Sequence, residues 1–321
     1  MPFGRLALHA LVLSMLPWTP SCERSRAEVE RDSPTIRISA GVATGTFGPF
    51  SDALVQGYKQ LLPDLRFELV DKPGSVRNLQ ALENGTVDLG LAQAGIAYMA
   101  YHGRLPEADR PLGNIRGVAV LNSSTVHLLV GPRSPARSIN DLKGLRIGVG
   151  PAGTGSAVTS ELLLSPYAAD ALRTLGVAAG QTADTVLAGE LDAAFTISGI
   201  PHDEVGRATR DGARLVHVNG QAMDQLRRAY PFFRSAVIPA GTYPNQRESI
   251  QTLSIDIVLL TRKDLDDALV RQLTAALFHM LPRLTLELDF LKGMDPERAP
   301  ATPIPLHRGA TLYYRERELR R

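Results

Sequence analysis

The residues best placed to do chemistry are glycines and hydroxyls that directly follow short apolar runs. Gly148-Val-Gly150-Pro-Ala-Gly153 comes straight after such a run and leads into Thr154, Gly155 and Ser156. The spacing formally matches the G-x-G-x-x-G pattern that cradles a dinucleotide. However, Pro151 removes an N–H that would face phosphate, and no strand ending in Asp or Glu stands where a ribose would need one. No lysine follows either glycine loop of the chain, which excludes a P-loop. What survives is the physics beneath both motifs: exposed N–H groups at a helix start, flanked by hydroxyls, favour an anion such as a carboxylate. A tight structural turn is the alternative for these glycines.

Further upstream, Ser75 and Asn78 stand three apart after Pro73-Gly74, and Gln93 closes another apolar run. Ser75 either caps a helix or lines a cleft, since both roles belong to the strand-exit edge where open α/β sheets bind ligands. Amide side chains at that edge orient an acid or amino acid without titrating. Catalytic sets do not assemble. The seven histidines are scattered without metal-ligand spacing, and no G-x-S-x-G appears. Asp88 and Asp192 each follow a turn into a strand, where capping is expected of them rather than acid–base work. Neither a metal nor a cofactor nor a catalytic residue is expected. Tyr230-Pro-Phe-Phe233 and Pro239-Ala-Gly-Thr-Tyr243 are expected to serve packing.

The elements that would position these residues occur twice. Ile36-Arg-Ile-Ser-Ala-Gly41 with Thr44-Gly-Thr46 is echoed by Leu145-Arg-Ile-Gly-Val-Gly150 with Gly153-Thr-Gly-Ser156. Each copy has a second echo downstream: Gly85-Thr-Val-Asp-Leu-Gly-Leu91 leads to Gln93, and Gly189-Glu-Leu-Asp-Ala-Ala-Phe195 leads to Ser198. Strands at 36–40, 65–70 and 87–92 alternate with helices that bury Phe50, Leu54 and Tyr58, then Val76, Leu79 and Leu82. Alternation with short loops implies parallel strands with helical crossovers. Val126–Val130 is expected to cross into a second lobe and Leu253–Leu260 to return from it. Ser138-Ile-Asn-Asp141 should form a short capped helix, and the helix from Asp264 should end at Pro282.

Composition agrees with a globular, two-lobed protein: 321 residues, 44% hydrophobic, 21% charged and a formal charge of +2. That charge is too small for a nucleic-acid footprint. The N-terminus signals export, with Arg5 before an apolar run from Leu6 to Trp18 that is too short to span a bilayer comfortably. Cys22, the only cysteine, follows at once. Its position suits lipid modification of a new N-terminus; simple secretion is the alternative. The expected organisation is a signal peptide at 1–21, a tether at 22–33, lobe I at 34–126 plus 253–321, and lobe II at 127–252.

In this order, several of these segments resemble the TAXI group of solute receptors, which serve tripartite ATP-independent periplasmic (TRAP) transporters. The resemblance rests on Gly45-Thr-Phe47 with Pro49, Pro73-Gly-Ser-Val76 with Asn78-Leu79, Gly85 with Asp88-Leu89, Gln93-Ala94, Leu142-Lys-Gly144, Val149-Gly-Pro151 with Gly153, Tyr230-Pro-Phe232, Ile238-Pro-Ala-Gly-Thr-Tyr-Pro244, and Pro305-Leu-His307 with Gly309-Ala310. It implies an α/β, two-lobed type II periplasmic-binding-protein fold that closes on a small organic acid or amino acid such as glutamate or glutamine, then docks on a TRAP permease. The implied ligand residues are Thr46, Phe47, Ser75, Asn78 and Gln93 from the first lobe. The second lobe would add Gly153, Thr154, Gly155, Ser156 and the loop from Phe195 to Gly199, with Phe195 and Ser198 its named ligand residues. Val42 and Thr44 stand where the family has glycine, Phe47 where tyrosine is common, and Gly48 where a second aromatic is usual. Arg77 is also unusual; at a cleft it would favour an acidic ligand, and otherwise it belongs to a solvated helix face. Two further readings stay open: an enzyme on the same scaffold, such as a carboxylic-acid dehydratase, and a lipid-anchored ligand sensor.

Overall fold

The computed structural model describes residues 34–39, 41, 46–70, 74–167, 172–178 and 180–319. The signal segment, the tether with Cys22, and the substituted positions Val42 and Thr44 lie outside the described residues. In chain order the elements are β1 (Thr35–Ser39), α1 (Phe47–Leu61), β2 (Arg66–Val70), α2 (Ser75–Glu83), β3 (Leu89–Gln93), α3 (Ala94–Tyr101), β4 (Ile115–Val130), β5 (Arg146–Val149), α4 (Gly155–Leu164) and β6 (Arg173–Gly176). There follow α5 (Thr182–Ala188), β7 (Ala193–Ser198), α6 (Asp203–Arg210), β8 (Arg214–Leu215), α7 (Gln221–Ala229), β9 (Phe233–Ile238), β10 (Ile250–Arg262), α8 (Asp267–Glu287) and α9 (Arg308–Leu319).

These strands make one sheet whose order, β2-β1-β3-β10-β4-β7-β5-β6, is symmetric about its centre. β1 pairs in parallel with β2 and β3, and β5 pairs in parallel with β6 and β7. The long strands β10 and β4, antiparallel to each other, join the two halves. The doubled sequence grammar is therefore a doubled βαβ unit, with β1, β2 and β3 answered by β5, β6 and β7.

The two copies share a side-chain staple as well. The Arg37 backbone N–H donates to Asp88 Oδ2 at 2.8 Å, its guanidinium donates to both Asp88 oxygens, and the Asp88 N–H returns a bond to the Arg37 carbonyl at 2.7 Å. Arg146 and Asp192 repeat this in the other half, at 2.8 Å and 2.9 Å for the reciprocal backbone bonds. Each arginine also donates to the carbonyl of the preceding turn glycine, Gly85 or Gly189. Both glycines hold a left-handed φ, +69° and +76°, that a side chain would strain. The two aspartates are thus not caps: each holds its strand entry against the first strand of its own unit. Hydrogen bonding from Arg146 holds the Asp192 carboxyl below its usual range.

Helix α1 buries Phe50, Leu54 and Tyr58 at four-residue spacing against the first sheet half, and each such side chain contributes about 1.5–3 kcal/mol by leaving water. Its companion α8 does not end at Pro282 but runs on to Glu287. A mid-helix proline costs about 3 kcal/mol, and burial of Leu281 and Leu284 on either side of it offsets that cost. β4 begins eleven residues before the expected crossing point because polar Asn122, Ser123 and Ser124 interrupt its apolar pattern without interrupting the strand. Ser123 donates to Asp256 Oδ1 at 2.7 Å, and Asp256 also pairs with Arg234 and Arg298. Ser138 and Asp141 form the expected capping box on a single 3-10 turn, Ile139–Asp141. The aromatic segments serve packing: Phe232 fills the space over Gly95, and Tyr243 is buried beneath β4. Among the described residues, no helix is long and apolar enough to cross a membrane.

The two staples differ in burial: Asp88 is 5% exposed and Asp192 29% exposed. Asp88→Ala should cost about 3 kcal/mol or more in urea unfolding, because it leaves Arg37 and Arg262 facing an emptied partly buried site. Asp192→Ala should cost less. Equal losses would mean that burial does not set the strength of the staple.

Candidate functional site

Parallel strands that point the same way start the following helices along one edge of the sheet, and the consequence here is a cavity of about 300 Å³ at that edge. Three helices begin on it: α1 at Phe47, α2 at Ser75 and α4 at Gly155. The first-turn N–H groups of each helix have no intrahelical acceptor, and the three positive dipole ends add at one place. Thr46, Ser75, Gln93, Thr154 and Ser156 line the cavity with hydroxyls and an amide, while Phe47, Pro151 and Ile197 supply apolar wall. Arg77, in the first turn of α2, brings a cation to the rim.

Of the residues expected here, Thr46, Phe47, Ser75, Gln93, Thr154, Gly155 and Ser156 come together on this cavity. Ser75 is the first helical residue rather than a cap. Gly74 takes the cap position with φ +96°, and the Ser75 hydroxyl accepts from the Gln93 N–H at 3.0 Å. Asn78 does not line the cavity; it is fully buried and donates to the Leu91 carbonyl at 2.8 Å, tying α2 to β3. Gly153 shapes the turn before α4, with φ +79° and Arg77 Nε only 2.9 Å from where its Cβ would be. Phe195 and Ser198 border an adjoining depression instead. Thr154 does cap α4, its hydroxyl accepting from Ala157 N–H at 3.2 Å.

Ser124 also lines the cavity and was not expected to. Ser124 arrives from the middle of β4, and its signal in the sequence was the polar interruption Asn122-Ser123-Ser124 within an apolar strand. Ile197 belongs to the 195–199 loop that the resemblance implied, and it is the member of that loop that reaches the main cavity.

The two halves touch across the cleft. Thr159 Oγ1 on α4 donates to Gln93 Oε1 at 2.6 Å, and the Gly199 N–H donates to Thr46 Oγ1 at 3.4 Å. Gly155 allows the closest approach: a Cβ there would lie 2.5 Å from Ser75 Oγ and 3.0 Å from Gln93 Cδ. The geometry is that of a closed cleft, with the starts of α2 and α4 nearly in van der Waals contact.

Behind the site, His127 is completely buried on β4. Its Nε2 lies 2.8 Å from the Tyr243 hydroxyl and its Nδ1 3.3 Å from the Thr196 carbonyl. The carbonyl can only accept, so Nδ1 carries the proton and Nε2 accepts from Tyr243. Burial first, and the neighbouring His202 second, lower the imidazole to about 3. His127 is therefore a neutral strut beneath β7, not an acid or base facing the cleft.

Residues 38–317 match the family described as NMT1-like. Among solved structures, the chain is similar to the malate-bound MatC of Rhodopseudomonas palustris at TM-score 0.57 and 15% identity, covering 90% of this chain and 98% of that one. It is similar to an ATP-bound Xanthomonas citri protein at TM-score 0.54 and 15% identity, covering 89% and 98%. The arginine-, lysine-, histidine-binding protein ArtJ of Geobacillus stearothermophilus aligns at TM-score 0.51 and 14% identity, covering 82% and 98%. At such identities the likeness concerns the fold, and that fold is the two-lobed type II periplasmic-binding-protein architecture.

Two measurements probe this geometry. Gly155→Ala should hold the cleft open without unfolding the protein, raising the radius of gyration in solution scattering relative to the parent; an unchanged radius would mean that the contact does not set closure. Because unfolding releases His127 to its ordinary range near 6.5, the unfolded chain binds the extra proton between about pH 6.5 and pH 3. Stability contributed by the neutral, buried ring is full above that window and falls as pH drops through it. A His127→Gln variant should flatten that part of the pH–stability curve.

Proposed function

Because the chain belongs to the NMT1-like family, we propose that it is an extracytoplasmic solute receptor that closes its two lobes on a small carboxylic acid. The observation that carries the reading is the convergence of three helix N-termini and Arg77 on one cavity. Such N-termini form ready anion sites, and the guanidinium fork matches a carboxylate. A volume of about 300 Å³ suits a metabolite rather than a polymer. Malate in MatC and ATP in the Xanthomonas citri protein are both anions, which accords with an anion at this edge of the fold.

In this reading lobe I is 34–126 plus 253–321, lobe II is 127–252, and the hinge lies where β4 and β10 cross between them. Hydroxyls, one amide and one arginine hold the ligand; none of these relays protons at neutral pH, which favours a receptor over a catalyst. The resemblance to TAXI receptors extends the reading to a partner. The closed, loaded form docks on a TRAP permease driven by an ion gradient, and Cys22 tethers the exported protein to its membrane.

Thermal-shift titration with malate, succinate, glutarate, glutamate and glutamine tests this directly. An acid at a hundred times its Kd should add about 2.7 kcal/mol to stability by mass action. Stabilisation by a neutral sugar, with none by any acid, would overturn the reading. Arg77→Gln should weaken the best acid about tenfold, the loss of one charge-assisted bond. Gly153→Asp should abolish binding with little loss of fold, because aspartate tolerates a positive φ and would set a competing carboxylate against Arg77.

A further inference from the structure

The strand pair that joins the two halves carries a cavity on each of its faces. Ser124 of β4 pairs with Ile255 of β10, and Ser123 pairs with Asp256. Neighbouring strand positions point to opposite faces, so the pair shows Ser124 to one side and Asp256 to the other. Val120, paired with Val258 two residues beyond Asp256, shares the Asp256 face. Ser124 lines the cleft cavity, whereas Asp256 and Val120 line a separate one of about 330 Å³ behind the joint. The two cavities have no lining residue in common.

The walls of this rear cavity come from both lobes of the division proposed above. Tyr98 of α3 and Pro303 of the tail belong to lobe I, and Pro231, Phe232 and Arg234 to lobe II. The half-buried rings of Tyr98 and Phe232 stand 6.1 Å apart, tilted by 48°. The lining is mostly apolar, and its ionic groups are Arg234 and Asp256. That ionic end is net positive. Asp256 Oδ1 accepts from Ser123 and Arg234, and Oδ2 from Arg298 at 3.2 Å, so one carboxylate faces two guanidinium groups. Arg234 uses only Nη2 here, donating to Ser123 Oγ at 2.8 Å and to Asp256. Its Nε and Nη1 find no acceptor among the described residues. A guanidinium with free donors beside aromatic rings suits a carboxylate on an apolar body, and the volume suits a small molecule.

We infer that the rear cavity is a second, regulatory binding site for a small aromatic monocarboxylate, its head on Arg234 and its ring against Tyr98 and Phe232. A cavity walled by both lobes keeps its shape in only one of their arrangements, here the closed one. Its occupant therefore favours closure and tightens whatever the cleft holds, and by linkage the cleft ligand tightens the effector equally. The site stands apart from the identity of the cleft ligand; only the coupling rests on the receptor reading above.

Calorimetric titration with phenylacetate tests the site, with phenylacetamide as the uncharged control. The wild-type protein should bind phenylacetate about tenfold more tightly than phenylacetamide, the contribution of one charge-assisted hydrogen bond. Arg234→Gln should erase that advantage. Ala301→Phe should block phenylacetate at an unchanged melting temperature, because Ala301 lines the cavity from an exposed position, so a folded control exists even where Arg234→Gln unfolds. Gly153→Asp, which closes the cleft to acids, should leave phenylacetate within about twofold of wild type. Saturating phenylacetate should tighten the best of the acids named above about fivefold or more, an effect that Ala301→Phe removes. If phenylacetate fails to bind, or if Gly153→Asp abolishes its binding and Ala301→Phe spares it, the rear site is overturned. Binding behind the joint with no change in acid affinity would overturn the regulatory role. If phenylacetate binds as expected but no acid enters the cleft, the receptor reading and the coupling fall together and the site remains.

Discussion

The structure depends on keeping parallel strands level with one another. β1 must hold its register against β3, and β5 against β7, or the helices that follow would not start at one edge. Each pair is held level by the same reciprocal staple, Arg37 with Asp88 and Arg146 with Asp192. A backbone N–H and a guanidinium fork on one strand grip the carboxylate at the entry of the other, and the aspartate N–H grips back. The staple sits at the strand starts, and the site forms at their opposite ends. Register set at one edge is therefore delivered as geometry at the other.

From that alignment the electrostatics of the cleft follow. Three helix starts carry uncompensated N–H groups to one place, and no ionised residue is needed to make the cavity attractive to an anion. The protein supplies hydroxyls and an amide where it could have supplied lysines. Such groups hold an anion without the large desolvation penalty of burying a full charge when the cleft closes. Arg77 stays exposed at the rim, so its charge remains solvated.

Closure itself is a packing problem solved with glycine. Gly74 and Gly155 let the starts of α2 and α4 meet where a Cβ would collide. Gln93 links across by accepting from Thr159 on the facing half while its own N–H bonds Ser75. A second polar contact, from the Gly199 N–H to Thr46 Oγ1, joins the halves beside it. Between the halves, β4 and β10 carry the polar residues Ser123, Ser124 and Asp256, and Ser123 bonds Asp256 across the strand pair.

Much of this was legible in the residues alone. The repeated strand-and-glycine grammar, its second echo at Asp88 and Asp192, and the hydroxyls after Gly153 all express local rules: strand period, turn chemistry and helix starts act over a few residues. Those rules determine the doubled α/β architecture and place Thr46, Ser75, Gln93 and Thr154 at strand exits. Partnership across the chain was not legible. That Asp88 grips Arg37 rather than capping, that Asn78 is a tie to β3 and not a cleft residue, and that α8 survives Pro282 each depend on neighbours 51, 13 and more residues away. The same holds for Ser124, whose strand looks alike whether it faces core or cavity. Sequence spacing determines which elements form and which ends they present; which side chains meet across the cleft is decided only when two distant halves are packed together, because that contact has no local signature.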